Sequence, residues 1–307
     1  MANLSISALA TELRRALPDL KLTQDAPLSS LTTLRLGGPA DLLAEPASPE
    51  DVRVILETVR NTDVPVTVIG RGSNLLVRDG GIRGLVLRIG AEMSALTCDE
   101  QTIVALAGAS LSSLSAFAAD NGLGGLAFAC GIPGAVGGGV CMNAGAYGGE
   151  MSQVVASVSG FDLYGRPFWY TAGDMGFAYR TSRLQIEEKV VTSVTFALEP
   201  GDPEALRAQM AEIGRARAEK QPLNVPSAGS TFRRPKDGYA AALIDECGLK
   251  GLRVGGASVS EKHAGFLVNE GDSAADYLAL MEQVQETVLQ KTGVQLEPEV
   301  RILGEDA

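Results

Sequence analysis

The most constraining feature of the sequence is the density of glycine between residues 122 and 149. A glycine inside a helix or strand costs about 0.5–1 kcal/mol relative to alanine. The segment is therefore predicted to form neither a regular helix nor a regular strand. Glycines from Gly131 to Gly139 also leave backbone amides uncovered by side chains, which suits the close approach of a flat cofactor or a pyrophosphate. Irregular turns are the other reading of such a run.

Length and composition describe a packed globular protein. The chain has 307 residues, more than the roughly 100–200 typical of one domain, so two lobes are expected. A net charge of −11 argues against nucleic acid and an anionic membrane as partners. No signal peptide and no apolar run of about 18 residues is present, so a cytoplasmic location is expected. Four scattered cysteines and a single histidine predict neither a disulfide nor a metal site.

Apolar periodicity and turn residues predict six helices and a β-rich first lobe, in an α+β class. Helices are expected over Leu9–Leu17, from Pro49 to about Arg60, from Ser110 to Asn121, over Asp202–Gln221, up to Glu246, and around Tyr277–Val288. Strands are expected over Leu31–Leu36, Leu42–Ala44, Val64–Ile69, Leu75–Val77, Leu85–Ile89, Val158–Leu163, Phe168–Tyr170, Val190–Leu198, near Val254, over Phe266–Val268 and over Val294–Ile302.

A first glycine loop, from Gly70 to Asn74, follows a predicted strand as a dinucleotide fingerprint would. A further strand follows it instead of a helix, and position 75 is leucine, so Rossmann-type binding is excluded. The match at 122–127 fails as well, because a helix precedes it. What remains is either an ordinary tight turn or a turn that points backbone N–H groups at a phosphate.

Five motifs in order resemble the UDP-N-acetylenolpyruvoylglucosamine reductases, the MurB family. The resemblance runs from about Leu31 to Ile302. The motifs are Gly131–Gly138, Met142–Glu150, Tyr179–Ser182, Pro226–Phe232 and Leu296–Arg301.

The resemblance implies a flavoenzyme. Its expected fold is α+β, with an FAD-binding lobe of the vanillyl-alcohol-oxidase/PCMH type and a smaller α+β substrate-binding lobe. Its expected reaction is the NADPH-dependent reduction of UDP-N-acetylglucosamine enolpyruvate to UDP-N-acetylmuramate through non-covalent FAD, in peptidoglycan precursor synthesis. The expected partner is the nucleotide-sugar substrate alone, and a monomer is favoured.

A composition change near Gln221-Pro222 marks a lobe boundary, and together with the resemblance it gives the predicted domain division. Residues 1–30 are expected to form an N-terminal helical segment. Residues 31–200 are expected to form the FAD-binding region, with two subdomains that meet near residue 90, and residues 201–307 to form the substrate-binding domain.

The resemblance also implies the site residues. Arg180 is expected to bind the substrate carboxylate where negative charge develops, since a guanidinium can bind it bidentately. Ser230 is expected to protonate the enolate carbon, and Glu299 to assist. Glu299 is placed with Glu297 on one face of the predicted last strand. The cofactor set is Gly70, Arg71, Gly72, Ser73, Asn74, Gly131, Ile132, Pro133, Gly134, Gly137, Gly138, Asn143, Ala144 and Gly145. The substrate set is Tyr179, Arg217, Lys220, Gly229 and Lys250.

The chain departs from the family pattern at three places. It lacks the tyrosine-bearing insertion after Arg180 and so resembles the shorter subgroup, Arg71 stands inside the first glycine loop, and Arg234 replaces a common asparagine. Two other functions stay open at this point. One is a flavin oxidase with the same fold, and the other is a nucleotide-sugar sensor without catalysis.

Overall fold

The structure is a computed structural model that describes residues 5–307. The first four residues of the predicted N-terminal segment lie outside the described residues. The chain forms two compact units. The first comprises residues 1–24, 42–71 and 84–215, and the second comprises residues 25–41, 72–83 and 216–307. The predicted division at residues 30 and 200 stays a prediction.

The seven helices of the described residues are α1 (Ile6–Ala16), α2 (Pro49–Val59), α3 (Leu111–Asp120), α4 (Val136–Cys141), α5 (Pro203–Lys220), α6 (Ala240–Glu246) and α7 (Ala274–Thr292). The strands are β1 (Lys21–Pro27), β2 (Pro39–Glu45), β3 (Val66–Ile69), β4 (Leu75–Val77), β5 (Ile82–Arg88), β6 (Leu96–Asp99), β7 (Thr102–Leu106), β8 (Leu123–Gly124), β9 (Gly145–Ala146), β10 (Gly149–Glu150), β11 (Val155–Asp162), β12 (Pro167–Thr171), β13 (Lys189–Ala197), β14 (Glu199–Pro200), β15 (Arg253–Val254), β16 (Ala257–Val259), β17 (Leu267–Asn269) and β18 (Arg301–Leu303). The six predicted helices are confirmed, and no helix within residues 5–307 has the length and apolarity needed to cross a membrane.

A five-stranded sheet of order β12-β11-β13-β7-β6 is the main sheet of the first unit. Its strands pair antiparallel, with Val158 opposite Tyr170 on one side and Val194 on the other. The two strands predicted at Val158–Leu163 and Phe168–Tyr170 are confirmed, and they pair as a hairpin. The Asp162 carboxylate closes that turn, because it accepts from the backbone N–H groups of Tyr164 and Arg166 at 2.9 and 3.0 Å.

Helices and a parallel strand pair complete the core of the first unit. Helix α2 begins at a capping box in which Ser48 and Asp51 bond each other's backbone N–H groups, as the Ser-Pro-Glu-Asp sequence predicts. β3 and β5 pair in parallel, from Val66 opposite Leu85 onward. The core includes Leu13, Leu42, Ile55, Leu87, Ile103, Leu114, Val140, Val158, Val194 and Phe196.

The glycine-dense segment departs from its prediction, because residues Val136–Cys141 form helix α4. Packing outweighs the low helix propensity of glycine here. A Cβ atom on Gly137 would lie 3.0 Å from the Ala107 Cβ atom, and one on Gly139 would lie 3.1 Å from the Leu111 side chain. The glycines therefore allow a helix to lie against its neighbours at a distance that larger residues would prevent.

The second unit has its own core under helix α7. A three-stranded sheet has the order β15-β16-β17, and β18 pairs in parallel with β4. Ser273 caps α7 as its N-cap, and the Asp79 carboxylate accepts from the N–H groups of Ala274 and Ala275 at 2.8 and 3.1 Å. The core includes Leu34, Leu76, Phe232, Ile244, Leu267, Tyr277, Leu280 and Val284.

Two predicted strands are wrong. Residues 31–36 form a turn, in which the Thr32 hydroxyl donates to the Leu36 carbonyl at 2.9 Å and Arg35 has φ of +56°. The predicted last strand shrinks to β18, so Glu297 and Glu299 precede it. Pro298 lies between them and has no N–H for a strand ladder, which explains the interruption.

We predict that Gly149→Ala destabilises the protein. Its Cβ atom would lie 2.5 Å from Cδ1 of the buried Phe128, and such overpacking costs about 1–3 kcal/mol. Urea unfolding measures the change in free energy of unfolding. The matched control is Gly214→Ala in helix α5, where nothing lies within 4 Å of the added atom. It should gain about 0.5–1 kcal/mol, and equal losses in both variants would contradict the prediction.

Candidate functional site

In the first unit the two predicted cofactor loops lie side by side. A Cβ atom on Gly70 would lie 3.7 Å from the Ala135 Cβ atom, so the turn after β3 adjoins the start of helix α4. Gly138 is exposed, and nothing lies within 4 Å of the position its Cβ atom would take. The surface beside Gly138 is thus open, in the same helix as Ala135. A flat cofactor fits such a surface, because glycine permits close backbone contact.

Asn143 anchors the second glycine loop. Its side chain is 1% exposed and its φ is +43°, a left-handed conformation that asparagine tolerates better than most residues. Its Nδ2 atom donates to the Glu150 carboxylate at 3.2 Å and to the Ala178 carbonyl at 3.1 Å. Its Oδ1 atom accepts from the Ser152 N–H at 2.9 Å. Both amide hydrogens are used within the protein, so Asn143 shapes the loop, and the motif alone does not reveal this role.

Arg180 lies beside that loop in a strained conformation. Its φ is +52°, and its Nη2 atom donates to the Gly145 carbonyl at 3.1 Å. The Gln185 side chain donates to the Arg180 carbonyl at 2.9 Å, and the guanidinium lies 5.3 Å from the Tyr179 ring centre. A left-handed conformation costs a non-glycine residue of order 1–3 kcal/mol and persists where surrounding bonds hold it. These contacts fix the backbone at Arg180 and keep its guanidinium at the loop.

Ser230 and Glu299 lie on adjacent segments of the second unit. The Glu299 N–H donates to the Thr231 carbonyl at 2.8 Å, and the Arg233 N–H donates to the Glu297 carbonyl at 2.8 Å. An isolated β-bridge joins Phe232 to Pro298. The structure therefore brings together two residues that are 69 positions apart in the chain. Ser230 is exposed, while Thr231 is completely buried.

Asn74, predicted to contact the cofactor, bonds the Glu299 segment. Its Nδ2 atom donates to the Glu299 carbonyl at 3.0 Å, and its own carbonyl accepts from the Arg301 N–H at 3.0 Å. Gly72 has φ of +65° and its Cβ atom would lie 2.2 Å from the Leu31 carbonyl oxygen, so only glycine fits there. Within the second unit, this part of the first loop thus supports the backbone that carries Glu299.

His263, the only histidine of the chain, lies near the Ser230 segment. Its Nδ1 atom accepts from the Gly265 N–H at 3.1 Å, and the Gly265 carbonyl accepts from the Thr231 N–H at 2.9 Å. Burial lowers the pKa of the imidazole, and the nearby charge of Lys250 lowers it further. The neutral ring therefore carries its hydrogen on Nε2.

The predicted substrate cations occupy different surroundings in the second unit. Arg217 and Lys220 lie in the last turn of α5, and Lys262 donates to the Ala218 carbonyl there at 2.7 Å. Lys250 is bound to the Asp245 carboxylate at 2.7 Å. Gly229 has φ of +78° with open space around it. Arg217 and Lys220 are thus placed together with the His263 segment, while Lys250 has a local partner.

Two further features lie elsewhere. A cavity of about 400 Å³ at the edge of the five-stranded sheet is lined by a polar cluster around Tyr170 and Glu187, whose side chains bond at 2.7 Å, and it contains none of the predicted site residues. Arg234 lies over the Tyr239 ring at 4.2 Å.

Within residues 5–307 no group of three or more His, Cys, Asp or Glu residues could hold a metal ion, and all four cysteines are thiols.

Family models match most of the chain. The model for the UDP-N-acetylenolpyruvoylglucosamine reductase C-terminal domain matches residues 221–303, and the model for the FAD binding domain matches residues 40–166. A UDP-N-acetylenolpyruvoylglucosamine reductase of Levilactobacillus brevis is 46% identical over 299 residues, which are 97% of this chain and 98% of that protein. The Lactococcus lactis subsp. cremoris protein of the same name is 47% identical over 290 residues, 94% of this chain and 97% of its own.

Solved structures agree with the fold. The crystal structure of the reductase (MurB) from Thermus caldophilus has a TM-score of 0.79 and 38% identity, and the match covers 93% of this chain and 99% of that chain. Alkyldihydroxyacetonephosphate synthase has a TM-score of 0.50 at 16% identity, covering 64% of this chain and 41% of that one, and shows likeness of fold alone. The predicted α+β class with an FAD-binding lobe is confirmed.

We predict a pH-dependent contribution of His263 to stability. Its pKa in the folded protein is below the ordinary value of about 6.5, so the unfolded chain binds more protons in that range. The contribution is present above about pH 6.5 and is lost as the pH falls through the folded pKa. Urea unfolding of the wild type and of His263→Asn, which retains an acceptor for the Gly265 N–H, measures it from pH 7.5 to 5. As the pH falls, the free energy of unfolding of the wild type should decrease more than that of His263→Asn. A smaller decrease in the wild type would contradict the prediction.

Proposed function

The chain belongs to the UDP-N-acetylenolpyruvoylglucosamine reductase family, and on that premise we propose how its own residues carry out the family reaction. The chain is an FAD-dependent oxidoreductase that reduces UDP-N-acetylglucosamine enolpyruvate to UDP-N-acetylmuramate with NADPH, a step of peptidoglycan synthesis. We place this reaction in the cytoplasm. The observation that carries our assignment of residues is the bond between the Glu299 N–H and the Thr231 carbonyl, since it places Ser230 and Glu299 on adjacent segments.

The open surface at Gly138, close to the loops at Gly70 and Ala135, would hold the flavin cofactor. FAD bound there would supply the hydride that the substrate receives, with NADPH as the source of that hydride. The protein must leave backbone amides accessible for a pyrophosphate. The Gly137 N–H donates to the Ala107 carbonyl at 2.9 Å, so the amides of Gly131, Gly134 and Gly138 would serve this purpose. Asn143 keeps the loop in shape through its three bonds, so its role toward the cofactor is one of support.

Arg180 would bind the carboxylate of the enolpyruvyl group. Hydride addition at the terminal vinyl carbon leaves negative charge on the adjacent carbon and its carboxylate, and a guanidinium stabilises that charge where it develops. The bonds that hold the Arg180 backbone support this role, because a preorganised cation need not reorganise during the reaction. The exposed Tyr179 ring, over which the guanidinium lies, would cover the substrate from one side.

Ser230 would donate the proton that completes the reduction. Ser230 is exposed, and the enolate carbon is a base strong enough to take a proton from its hydroxyl. Glu299, on the neighbouring segment, would assist proton delivery. Arg217 and Lys220 would bind the diphosphate of the substrate. The ion pair between Lys250 and Asp245 favours a structural role for that lysine instead.

The test follows the visible spectrum of the FAD-loaded protein without oxygen. NADPH should bleach the flavin bands, and the enolpyruvyl UDP sugar should restore them. If a simple sugar or alcohol bleaches the flavin bands and NADPH does not, the result would favour an oxidase function over the reductase function. In Ser230→Ala the bleaching should keep its rate, while recovery slows by about 10²–10⁴-fold because only that half-reaction needs the proton.

A matched pair of carboxylate variants extends the same measurement. Glu299→Gln should slow recovery selectively, whereas Glu297→Gln should not, since the Glu297 side chain is 73% exposed and lies 4.0 Å from Arg233. Equal slowing of both half-reactions in Ser230→Ala and Glu299→Gln would contradict their assigned roles.

We predict that Gly138→Ala weakens FAD binding without destabilising the protein. The added methyl group meets no protein atom within 4 Å, but it would occupy the open surface on which we place the flavin. The dissociation constant for FAD, measured by fluorescence quenching, should rise about tenfold or more, equivalent to roughly 1.4 kcal/mol. Gly214→Ala is the control for the substitution itself. An unchanged FAD affinity in Gly138→Ala would contradict the placement of the flavin at Gly138.

A further inference from the structure

A closed ring of hydrogen bonds lies directly behind Ser230. The Leu267 N–H donates to Thr231 Oγ1 at 3.2 Å, the hydroxyls of Thr231 and Tyr277 are 3.2 Å apart, and the Tyr277 hydroxyl donates to the Leu267 carbonyl at 3.2 Å. A carbonyl can only accept, so the single hydrogen of Tyr277 is used there. Thr231 must then donate to Tyr277, and every bond in the ring has one direction.

The ring is fully buried, since Thr231, Leu267 and Tyr277 are each 0% exposed. A buried hydroxyl without a partner costs about 1–3 kcal/mol, so the ring satisfies two hydroxyls and both backbone groups of Leu267 at once. Leu267 begins β17, the edge strand of the sheet β15-β16-β17. Burial also raises the pKa of Tyr277, which keeps its hydroxyl protonated and able to donate.

Thr231 connects this ring to the two proposed catalytic residues Ser230 and Glu299. Its N–H donates to the Gly265 carbonyl at 2.9 Å, and its carbonyl accepts from the Glu299 N–H at 2.8 Å. It is also covalently joined to Ser230. On the other side of Ser230, Gly229 has φ of +78° with no atoms within 4 Å of its Cβ position, and the chain is next held at Ala228, which is 3% exposed. Thr231 is therefore the buried residue that directly adjoins Ser230.

We propose that Tyr277 is a positioning residue for the protonation step. Its hydroxyl holds the side chain of Thr231, and Thr231 holds the Ser230 hydroxyl in register with Glu299. This inference rests on the proposed function of Ser230. A displacement of about 1 Å at a reacting group can cost about 10²-fold in rate, so loss of the ring should affect chemistry and not only stability.

The test compares the two half-reactions of the FAD-loaded enzyme in Tyr277→Phe, which removes one oxygen atom from the ring. Flavin bleaching by NADPH should keep its rate, while recovery with the enolpyruvyl UDP sugar should slow by about 10–100-fold. The solvent deuterium isotope effect on recovery should rise, because proton transfer becomes more rate-limiting. The control is Tyr170→Phe, which removes a hydroxyl bonded to Glu187 in the first unit and should leave both half-reactions unchanged.

Variants at Thr231 keep the test decisive if Tyr277→Phe folds poorly. Thr231→Ser retains the hydroxyl and should behave as the wild type, whereas Thr231→Val should slow recovery as Tyr277→Phe does. Recovery in the double variant Tyr277→Phe/Thr231→Val should be about as slow as in the slower single variant, since both substitutions disrupt the same ring. A stability loss with unchanged recovery, or equal slowing of both half-reactions, would overturn the inference. Absence of turnover in the wild type would instead overturn the proposed function.

Discussion

The hydrogen bond from the Glu299 N–H to the Thr231 carbonyl is the contact on which the proposed chemistry of the second unit depends. Neither segment is part of a longer strand at this point. The Thr231 carbonyl accepts from the N–H groups of Glu299 and Val300, and the Arg233 N–H donates to the Glu297 carbonyl. Between these bonds an isolated bridge joins Phe232 to Pro298. The buried side of the pair is a packed core, and the exposed side carries Ser230. An irregular pairing of this kind fixes a short segment without burying it, as the role that we propose for Ser230 requires.

The first unit achieves a similar result with strained backbone. Asn143 and Arg180 both have positive φ, and the Asn143 side chain bonds the Ala178 carbonyl two residues before Arg180. Arg180 bonds back to Gly145 in the same loop. The two strained residues thus hold each other through side-chain bonds to backbone carbonyls. Strain of this kind is retained only where neighbours over-determine the conformation, and its cost is consistent with the role that we propose for Arg180.

Much of the fold could be predicted, for identifiable reasons. Helix α2 carries its capping box and proline in sequence, and the β11–β12 hairpin has an Asp and a Gly in its turn, so local residues determine both. Residue propensities do not predict helix α4, because Gly137 and Gly139 allow it to lie close to Ala107 and Leu111. The same limit applies to the site. Motifs indicated Ser230 and Glu299, but not that Asn74 and Asn143 use their amides to support backbone.

Tyr277 shows why positioning residues escape sequence reasoning. Helix α7 needs an apolar side chain at this position of its buried face, and phenylalanine would satisfy the helical period as well as tyrosine does. A hydroxyl in a fully buried place is unfavourable unless it is bonded, so its presence requires an account. The partners that give this account are 46 and 10 residues away in the chain, at Thr231 and Leu267. Only the folded arrangement reveals that the hydroxyl completes a directed ring next to the proposed catalytic serine, and this arrangement is the ground for our proposal that Tyr277 positions Ser230.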